Sequence, residues 1–134
     1  MYTRPLAGTR RTGGIAIVGP CASGKSTLAR GLQALGYPAR QIAQEHSYVP
    51  DMWQRLSRPD VLIFLDASYE ICTARKQLNW TRAEYAEQHR RLAHAREECH
   101  IYIHSDGLTI EQVLEATLQA LGKHSGQWPV ASGQ

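Results

Sequence analysis

Short apolar runs alternate along this chain with longer stretches that have helical spacing. Residues 15–18 and 61–66 are almost uninterrupted in apolar character, which is typical of strands buried on both faces of a sheet. Leucines recur at helical spacing over 28–35, and Gly36 follows where a C-terminal cap is expected. The whole pattern predicts strands at 15–18, 39–44, 61–66 and 100–104, and helices ending near 35 and spanning 50–58, 68–78, 81–99 and 110–121.

This alternation of strands and helices predicts an α/β fold. Strands joined through helices pair in parallel, and the helices then cover both faces of the sheet. We therefore expect a three-layer sandwich around a mostly parallel sheet of four to five strands. The chain of 134 residues is long enough for one domain, which we place at 14–122 between a flexible leader, 1–13, and a flexible tail, 123–134.

Helix starts can be predicted from short polar signatures. Thr81-x-x-Glu84 and Thr109-x-x-Gln112 are capping boxes, in which each threonine and the residue three positions later satisfy backbone amides reciprocally. Ser68 is expected to cap the helix that follows the 61–66 strand. A break is expected at Asn79-Trp80, before the first capping box.

Composition narrows the class of protein and its partners. The formal net charge is +3 and most basic residues are arginines, a balance that suits anionic small molecules. Nucleic acid is an unlikely partner, because no dense basic run with interleaved aromatic residues occurs. No apolar run approaches the ~20 residues that a membrane span needs. Three scattered cysteines without a C-x-x-C pair favour reduced thiols and a cytoplasmic location.

A phosphate-binding motif follows the first predicted strand. Gly19, Gly24, Lys25 and Ser26 match G-x-x-x-x-G-K-[ST], the P-loop or Walker A pattern. Glycines let the backbone approach a phosphate without a Cβ, and successive amide groups turned inward form an anion-binding concavity. Because strand, loop and helix occur in the required order, we expect this loop to bind a nucleoside triphosphate. The predicted phosphate-binding residues are Gly19, Pro20, Cys21, Ala22, Ser23, Gly24, Lys25, Ser26 and Thr27.

Two residues of this loop have separate expected roles. Lys25 should reach the β- and γ-phosphates as a point charge, and we name it as a catalytic residue. The Ser26 hydroxyl should bind Mg²⁺. The motif does not distinguish ATP from GTP, since its residues contact only the phosphates.

Two acidic residues stand where predicted strands end, the edge at which ligands collect in open α/β sheets. Glu45 follows the 39–44 strand and could hold Mg²⁺ through water or accept a proton from an attacking hydroxyl. The alternative for Glu45 is a surface glutamate on a loop. Asp66 ends the 61–66 strand in the Walker B pattern, where a carboxylate supports Mg²⁺. The alternative for Asp66 is that it organises the following turn.

A row of cationic side chains is predicted on the helix at 81–99. Arg82, His89 and Arg96 recur every seven residues and therefore share a face. Beside a phosphate loop, such a row would stabilise the charge on a transferring phosphoryl group, and Arg82 is the catalytic candidate. The alternative is a solvated face with pairs such as Glu87 and Arg91.

Sequence spacing argues against a zinc site. His100 and His104 share a face of the last predicted strand but lie about 13 Å apart at ~3.3 Å per residue. No other histidine or cysteine group has the spacing of metal ligands. Cys21, inside the phosphate loop, is either an oxidation-sensitive thiol or an ordinary small residue.

Three segments resemble the P-loop NTPase superfamily and, within it, the small kinases of the nucleoside and nucleotide kinase type. They are GPCASGKST, RPDVLIFLDASYEICTARK and HIYIHSDGLTIEQVLEATLQAL, and the resemblance covers roughly 14–121. It implies the fold of P-loop containing nucleoside triphosphate hydrolases, with ATP and Mg²⁺ as cofactors. It also implies an arginine-bearing lid with Arg75 and Arg82, and an adenine site beside 105–108, which includes Asp106.

The leading hypothesis is a Mg²⁺-dependent phosphotransferase that moves the γ-phosphate of ATP to a small-molecule acceptor. Only about 25 residues separate the first predicted helix from the 61–66 strand, where the family has a larger acceptor-binding region. This shortness favours the alternative, a non-kinase ATP- or GTP-binding module that acts through a partner as a slow NTPase or a nucleotide-sensing switch. The acceptor and the oligomeric state are open at this point.

Overall fold

The computed structural model describes residues 2–3, 14–76 and 80–122, in which strands and helices alternate. The strands are β1 (Tyr2–Thr3), β2 (Ile15–Val18), β3 (Ala39–Gln41), β4 (Val61–Asp66) and β5 (Ile101–His104). The helices are α1 (Lys25–Ala34), α2 (Met52–Ser57), α3 (Tyr69–Lys76), α4 (Arg82–Arg91), α5 (Ala93–Glu98) and α6 (Ile110–Gly122), with a 3-10 helix at Gln44–His46. Within the described ranges, no helix combines the length and the apolar character that crossing a membrane requires.

The strands form one sheet in the order β1-β5-β4-β2-β3. The last four of these pair in parallel, with Ile17 opposite Ile63 and Ile63 opposite Ile101. β1 pairs with β5 in the antiparallel direction. Because β2 and β4 are direct neighbours, the loops that follow them emerge side by side at the carboxyl edge, where open α/β sheets bind ligands.

Alternate residues of the central strands contribute to two separate hydrophobic cores. Ile15, Ile17 and Ile63 lie in the core that α1 and α6 close, and Ala16 and Val18 lie in the core that α2 and α5 close. Strands buried on both faces explain the unbroken apolar runs in the sequence. The predicted α/β class and parallel sheet are therefore confirmed, and helices on both faces are compatible with a three-layer sandwich.

The second predicted strand is shorter than the sequence pattern indicated. It ends at Gln41, and the chain then turns into the 3-10 helix instead of continuing to residue 44. The prediction of a strand over 39–44 was wrong at this end because only Ile42 adds an apolar side chain to the core after Ala39. Glu45 consequently lies on a tight helical turn.

The predicted long helix over 81–99 is divided at Leu92. This residue has φ −94° and ψ −4°, and it ends α4 and begins α5. Leu92 is fully buried in the core beside Ala95 and Cys99. The break allows α5 to pack these side chains against the sheet. The sequence pattern predicted one uninterrupted helix and did not indicate this break.

Three of the predicted helix starts agree with the structure, whereas the helix predicted from residue 50 begins two residues later, at Met52. Thr81 and Glu84 exchange both hydrogen bonds of a capping box, and Thr109 and Gln112 do the same before α6. Ser68 Oγ accepts a hydrogen bond from the Ile71 amide at the start of α3. Local signatures succeed here because their partners lie within three residues of each other.

The predicted leader and tail fall almost entirely outside the described residues. Of the leader, 1–13, the structure describes only the backbone of Tyr2–Thr3, which forms β1. The remainder of that leader, the predicted break at Asn79 and the predicted tail, 123–134, lie outside the described ranges.

Gln44 connects the 3-10 helix to its surroundings from a fully buried position. Its Nε2 donates to the carbonyls of Val49 and Arg91 at 2.9 and 3.2 Å. Its Oε1 accepts from the Trp53 amide at 2.8 Å. These bonds hold the 3-10 helix, and therefore the adjacent Glu45, against α2 and the end of α4.

Gln44→Ala should lower the free energy of unfolding by about 2 to 4 kcal/mol, because it leaves a cavity and removes the partners of three backbone groups. Urea unfolding followed by circular dichroism measures the loss. Gln54→Ala is the matched control, since Gln54 is exposed and should change stability by less than about 0.5 kcal/mol. Equal losses in the two variants would refute the anchoring role of Gln44.

Candidate functional site

The predicted phosphate loop connects the end of β2 directly to the first residue of α1. Gly24 caps α1 with φ 108°, and Ala22 has φ 67°, a conformation that is uncommon and costly for a residue with a Cβ. The Ser23 amide donates to the Pro20 carbonyl at 3.1 Å and closes a turn within the loop. The loop therefore places its chain at the amino end of α1, where the helix dipole favours an anion.

Lys25, the first residue of α1, turns its ammonium group back into the loop. Its Nζ donates to the carbonyls of Gly19 and Pro20 at 2.9 and 3.0 Å, and to Glu45 Oε2 at 2.9 Å. The lysine side chain is only 5% exposed. A buried cation is tolerated because a carboxylate and two carbonyl dipoles surround it.

Glu45 is buried, with its side chain 4% exposed, so it is not the surface glutamate of the alternative interpretation. One oxygen, Oε2, binds Lys25 and lies 3.7 Å from His46 Nε2. The other oxygen, Oε1, is buried and has no hydrogen-bond partner among the described residues. Buried polar atoms are almost always paired, so this oxygen has unused capacity for a ligand.

Asp66 lies at the end of β4, and both of its carboxylate oxygens accept hydrogen bonds. Its Oδ2 accepts from the Tyr102 hydroxyl at 2.6 Å, and its Oδ1 accepts from the Ala67 amide at 2.9 Å. These bonds correspond to the second alternative for Asp66, in which the carboxylate organises the turn after the strand. The Walker B alternative requires one of these oxygens to serve a metal as well.

His89 approaches the same carboxylate from α4. Its Nε2 lies 3.5 Å from Asp66 Oδ1, and its ring centroid lies 4.5 Å from that of Tyr85. Nε2 is buried without a hydrogen-bond partner among the described residues. Burial lowers the pKa of His89, an effect that Asp66 opposes and Arg96 reinforces.

The pKa of His89 predicts a specific dependence of stability on pH. Because the folded pKa lies below the unfolded value of about 6.5, the unfolded chain binds the proton first, and stability falls as pH drops below about 6.5. Wild-type protein should therefore lose more stability than His89→Gln between about pH 7.5 and pH 5. Urea unfolding at each pH measures this difference. His104→Gln, which removes an exposed histidine, should follow the wild type, and parallel curves for wild type and His89→Gln would refute the prediction.

The predicted arginines occupy different environments. Arg75 Nη1 donates to the carbonyls of Ala22 and Ser23 at 3.3 and 3.0 Å, which connects α3 to the phosphate loop. Arg82 is exposed; its Nη2 lies 2.6 Å from Glu70 Oε2, and its guanidinium stacks over the Tyr69 ring. The structure therefore brings Arg75 to the loop and pairs Arg82 with a carboxylate on α3.

A cleft of about 200 Å³ opens beside the phosphate loop. Its lining includes Gly24 and Thr27 from the start of α1, Arg75 from α3, and Ser105 and Leu108 from the segment that follows β5. The hydroxyl of Ser105 is buried without a hydrogen-bond partner among the described residues. The cleft is smaller than the about 300–1,000 Å³ of drug-sized sites, so it suits a single ring system.

Asp106 lies next to this cleft and organises its rim. Its Oδ1 accepts from the Ser68 amide at 3.0 Å, which joins the segment after β5 to the segment after β4. Although partial burial opposes the effect, the hydrogen bonds from Ser68 lower the pKa of Asp106. The carboxylate therefore fixes the 105–108 segment to the start of α3.

Gln88 is a member of the site that the sequence analysis did not identify. Its Oε1 accepts a hydrogen bond from the Cys21 amide at 2.9 Å, which fixes the phosphate loop from α4. Gln88 is buried and lies three residues after Tyr85 and four before Leu92, on the apolar line that these two residues form along the helix. The signal in the sequence that could have identified Gln88 is its position as a polar residue on this apolar line.

Comparison with known proteins adds no relative to this description. No family model matches the chain, and a search of curated proteins finds no significant match. The functional interpretation therefore depends on the geometry of the site.

Proposed function

We propose that this chain is a small P-loop kinase that binds ATP with Mg²⁺ at Gly19–Thr27 and transfers the γ-phosphate to a small-molecule acceptor. The observation that carries the proposal is the environment of Lys25. A buried ammonium group stands at the amino end of a helix, inside a loop with the Walker A sequence. The helix amino end and the Lys25 cation, which Glu45 pairs, therefore meet at one point of the sheet edge, where a polyphosphate can bind.

The interactions of Lys25 support a role in holding phosphate. Its ammonium group is positioned by Gly19, Pro20 and Glu45. A cation held in place needs little rearrangement to stabilise developing charge, and such preorganisation is usually the largest electrostatic contribution to catalysis. Phosphate oxygens can then take over the hydrogen bonds that the loop carbonyls accept.

The acids differ in their fitness to serve the metal. A bound Mg²⁺ would neutralise charge on the phosphates at this site. Ser26 is the second residue of α1, next to Lys25, and supplies the hydroxyl that the motif assigns to the metal. Glu45 retains an unpaired oxygen, whereas both oxygens of Asp66 already accept hydrogen bonds. We therefore favour Glu45 over Asp66 as the acid that supports the metal through water or accepts the proton of the acceptor hydroxyl.

The cleft beside the loop supports a position for the adenine base. It runs from Gly24 and Thr27 to Ser105 and Leu108, the segment that the resemblance assigns to adenine. Arg75 contributes a planar guanidinium that can stack on an aromatic ring. The unpaired Ser105 hydroxyl offers a polar contact in a largely apolar lining.

Ser105→Ala should weaken ATP binding by about tenfold, the value of one hydrogen bond of about 1.4 kcal/mol, while leaving inorganic triphosphate binding unchanged. Titration calorimetry with both ligands measures the two affinities. Ser47→Ala, which alters an Asx-like turn in the 47–49 segment, is the matched control. Equal weakening of both ligands would show that Ser105 does not contact the base.

The alternative function is a nucleotide-binding module that acts through a partner protein. One observation favours it: the arginines of α4 are already paired, Arg82 with Glu70 and both Arg90 and Arg91 with Glu87. Arginines engaged in this way are not oriented toward a transferring phosphoryl group. A partner that contributes its own cation would then be needed for fast hydrolysis.

Incubation with ATP labelled in the γ-phosphate distinguishes the two functions. A panel of nucleosides, nucleotides, sugars and other hydroxyl or phosphate acceptors is supplied with Mg²⁺, and products are separated chromatographically. The kinase proposal predicts a labelled acceptor that depends on Lys25. Labelled inorganic phosphate alone, released faster when a protein partner is added, would instead establish the alternative.

A further inference from the structure

A second cluster of ligand-type atoms lies at the rim of the phosphate loop. Cys21 Sγ, a carboxylate oxygen of Glu45 and a ring nitrogen of His46 all lie within 4.8 Å of one another. Cys21 comes from the loop itself, and the other two residues come from the 3-10 helix that packs beside it. Sequence spacing could not indicate this group, because the cysteine and the histidine belong to different elements.

The environment of Glu45 indicates that this cluster can accept a ligand. Its side chain is 4% exposed, and its Oε1 has no hydrogen-bond partner among the described residues. Its Oε2 is bound to Lys25 at 2.9 Å and lies 3.7 Å from His46 Nε2. An unpaired buried carboxylate oxygen is costly, and a cation would remove this cost.

The chemical nature of the three residues selects the class of cation. Thiolate and imidazole are poor ligands for Mg²⁺, which prefers oxygen atoms, but they are the usual ligands of Zn²⁺. His46 is well exposed and Cys21 partly exposed, so both side chains can shorten their separations to the distances of a tetrahedral site. Three protein ligands leave the fourth position to water.

We propose that Cys21, Glu45 and His46 form a binding site for Zn²⁺ at the rim of the phosphate loop. The Cys21 thiol releases its proton to solvent when its sulfur binds the metal, Glu45 contributes a carboxylate oxygen, and His46 binds as neutral imidazole. The positive charge of Lys25 is compensated by Glu45 Oε2 and by two carbonyl groups. Zn²⁺ binding needs no nucleotide, so it is tested separately from the proposed kinase activity, in which Glu45 serves Mg²⁺ or the acceptor proton instead.

Cobalt titration of the reduced full-length protein tests this site. Co²⁺ takes the same ligands as Zn²⁺ and reports a bound thiolate through a sulfur-to-metal charge-transfer absorption in the near ultraviolet. The proposal predicts one equivalent of Co²⁺ with this absorption, and its displacement by one equivalent of Zn²⁺. Cys21→Ser should abolish the absorption.

His46→Ala should weaken Co²⁺ binding by about 100-fold, since even groups behind the metal ligands contribute about 10- to 100-fold. His104→Ala removes an exposed histidine on β5 and should bind Co²⁺ as the wild type does. Circular dichroism and thermal unfolding without metal establish that each variant is folded. An absence of charge-transfer absorption in the wild type, its survival in Cys21→Ser, or unchanged affinity in His46→Ala would each overturn the proposal.

Discussion

Lys25→Ala is expected to lower the rate of γ-phosphate transfer or hydrolysis by about 100- to 1,000-fold, the range for removing one preorganised donor from developing charge. The physical reason is that the Lys25 ammonium is the buried cation that the Walker A loop holds at the amino end of α1. Steady-state formation of ADP from ATP, with Mg²⁺ present, measures the change. Arg30→Ala, which removes an exposed cation from the same helix, should leave the rate within about twofold of the wild type.

The same substitution also leaves the carboxylate of Glu45 buried without its ion-pair partner. Breaking a buried pair in this way costs about 3–5 kcal/mol, so the single variant could lose activity by unfolding. The double variant Lys25→Met and Glu45→Gln removes both charges and should recover most of the stability but none of the activity. Turnover at the wild-type rate in either folded variant would contradict the role of Lys25.

Gly19→Ala is expected to lower the free energy of unfolding by about 3 kcal/mol or more, the upper range for overpacking. A Cβ at this position would lie 1.9 Å from the carbonyl oxygen of Leu65, a backbone atom of the central strand β4. Either the loop or the strand must move, so phosphate binding should be lost together with stability. Chemical unfolding and calorimetric titration with Mg²⁺ and ATP measure the two effects.

Gly31→Ala is the matched control for this prediction. Gly31 lies in the middle of α1, and a Cβ there would make ordinary contacts of 3.5 Å with the Leu114 side chain of α6. Alanine is the better helix former by about 1 kcal/mol, so stability should be unchanged or increased. A Gly19→Ala variant as stable as Gly31→Ala would mean that the loop does not pack against Leu65 as described.

The fold was largely predictable because its signals are local and strong. The run Val61–Asp66 is buried throughout, so its composition alone identified a strand covered on both faces, and the structure places it between β2 and β5. The capping boxes at Thr81 and Thr109 predicted two helix starts correctly, since a capping box depends on residues only three positions apart. β3 was overextended and α4 was joined to α5, because tertiary packing decides where these elements end.

The sequence indicated which residues belong to the candidate site, but it did not indicate which of them contact each other. The motif pointed to Lys25, but the ion pair with Glu45 joins two elements that sequence spacing cannot bring together. The hydrogen bond from the Cys21 amide to Gln88 spans 67 positions and leaves only a weak trace, a polar residue on an apolar line. The sequence likewise did not indicate that the Tyr102 hydroxyl donates a hydrogen bond to Asp66.

Titration calorimetry of the purified full-length protein with ATP and, separately, GTP in the presence of Mg²⁺ tests the central claim most directly. The claim is that the chain from Gly19 to Thr27 encloses a polyphosphate. We predict binding of one nucleotide per chain, which the folded double variant Lys25→Met and Glu45→Gln loses. If neither nucleotide releases or absorbs heat on titration at several temperatures, and neither shifts the thermal unfolding midpoint, the loop does not bind polyphosphate and the proposed function is wrong.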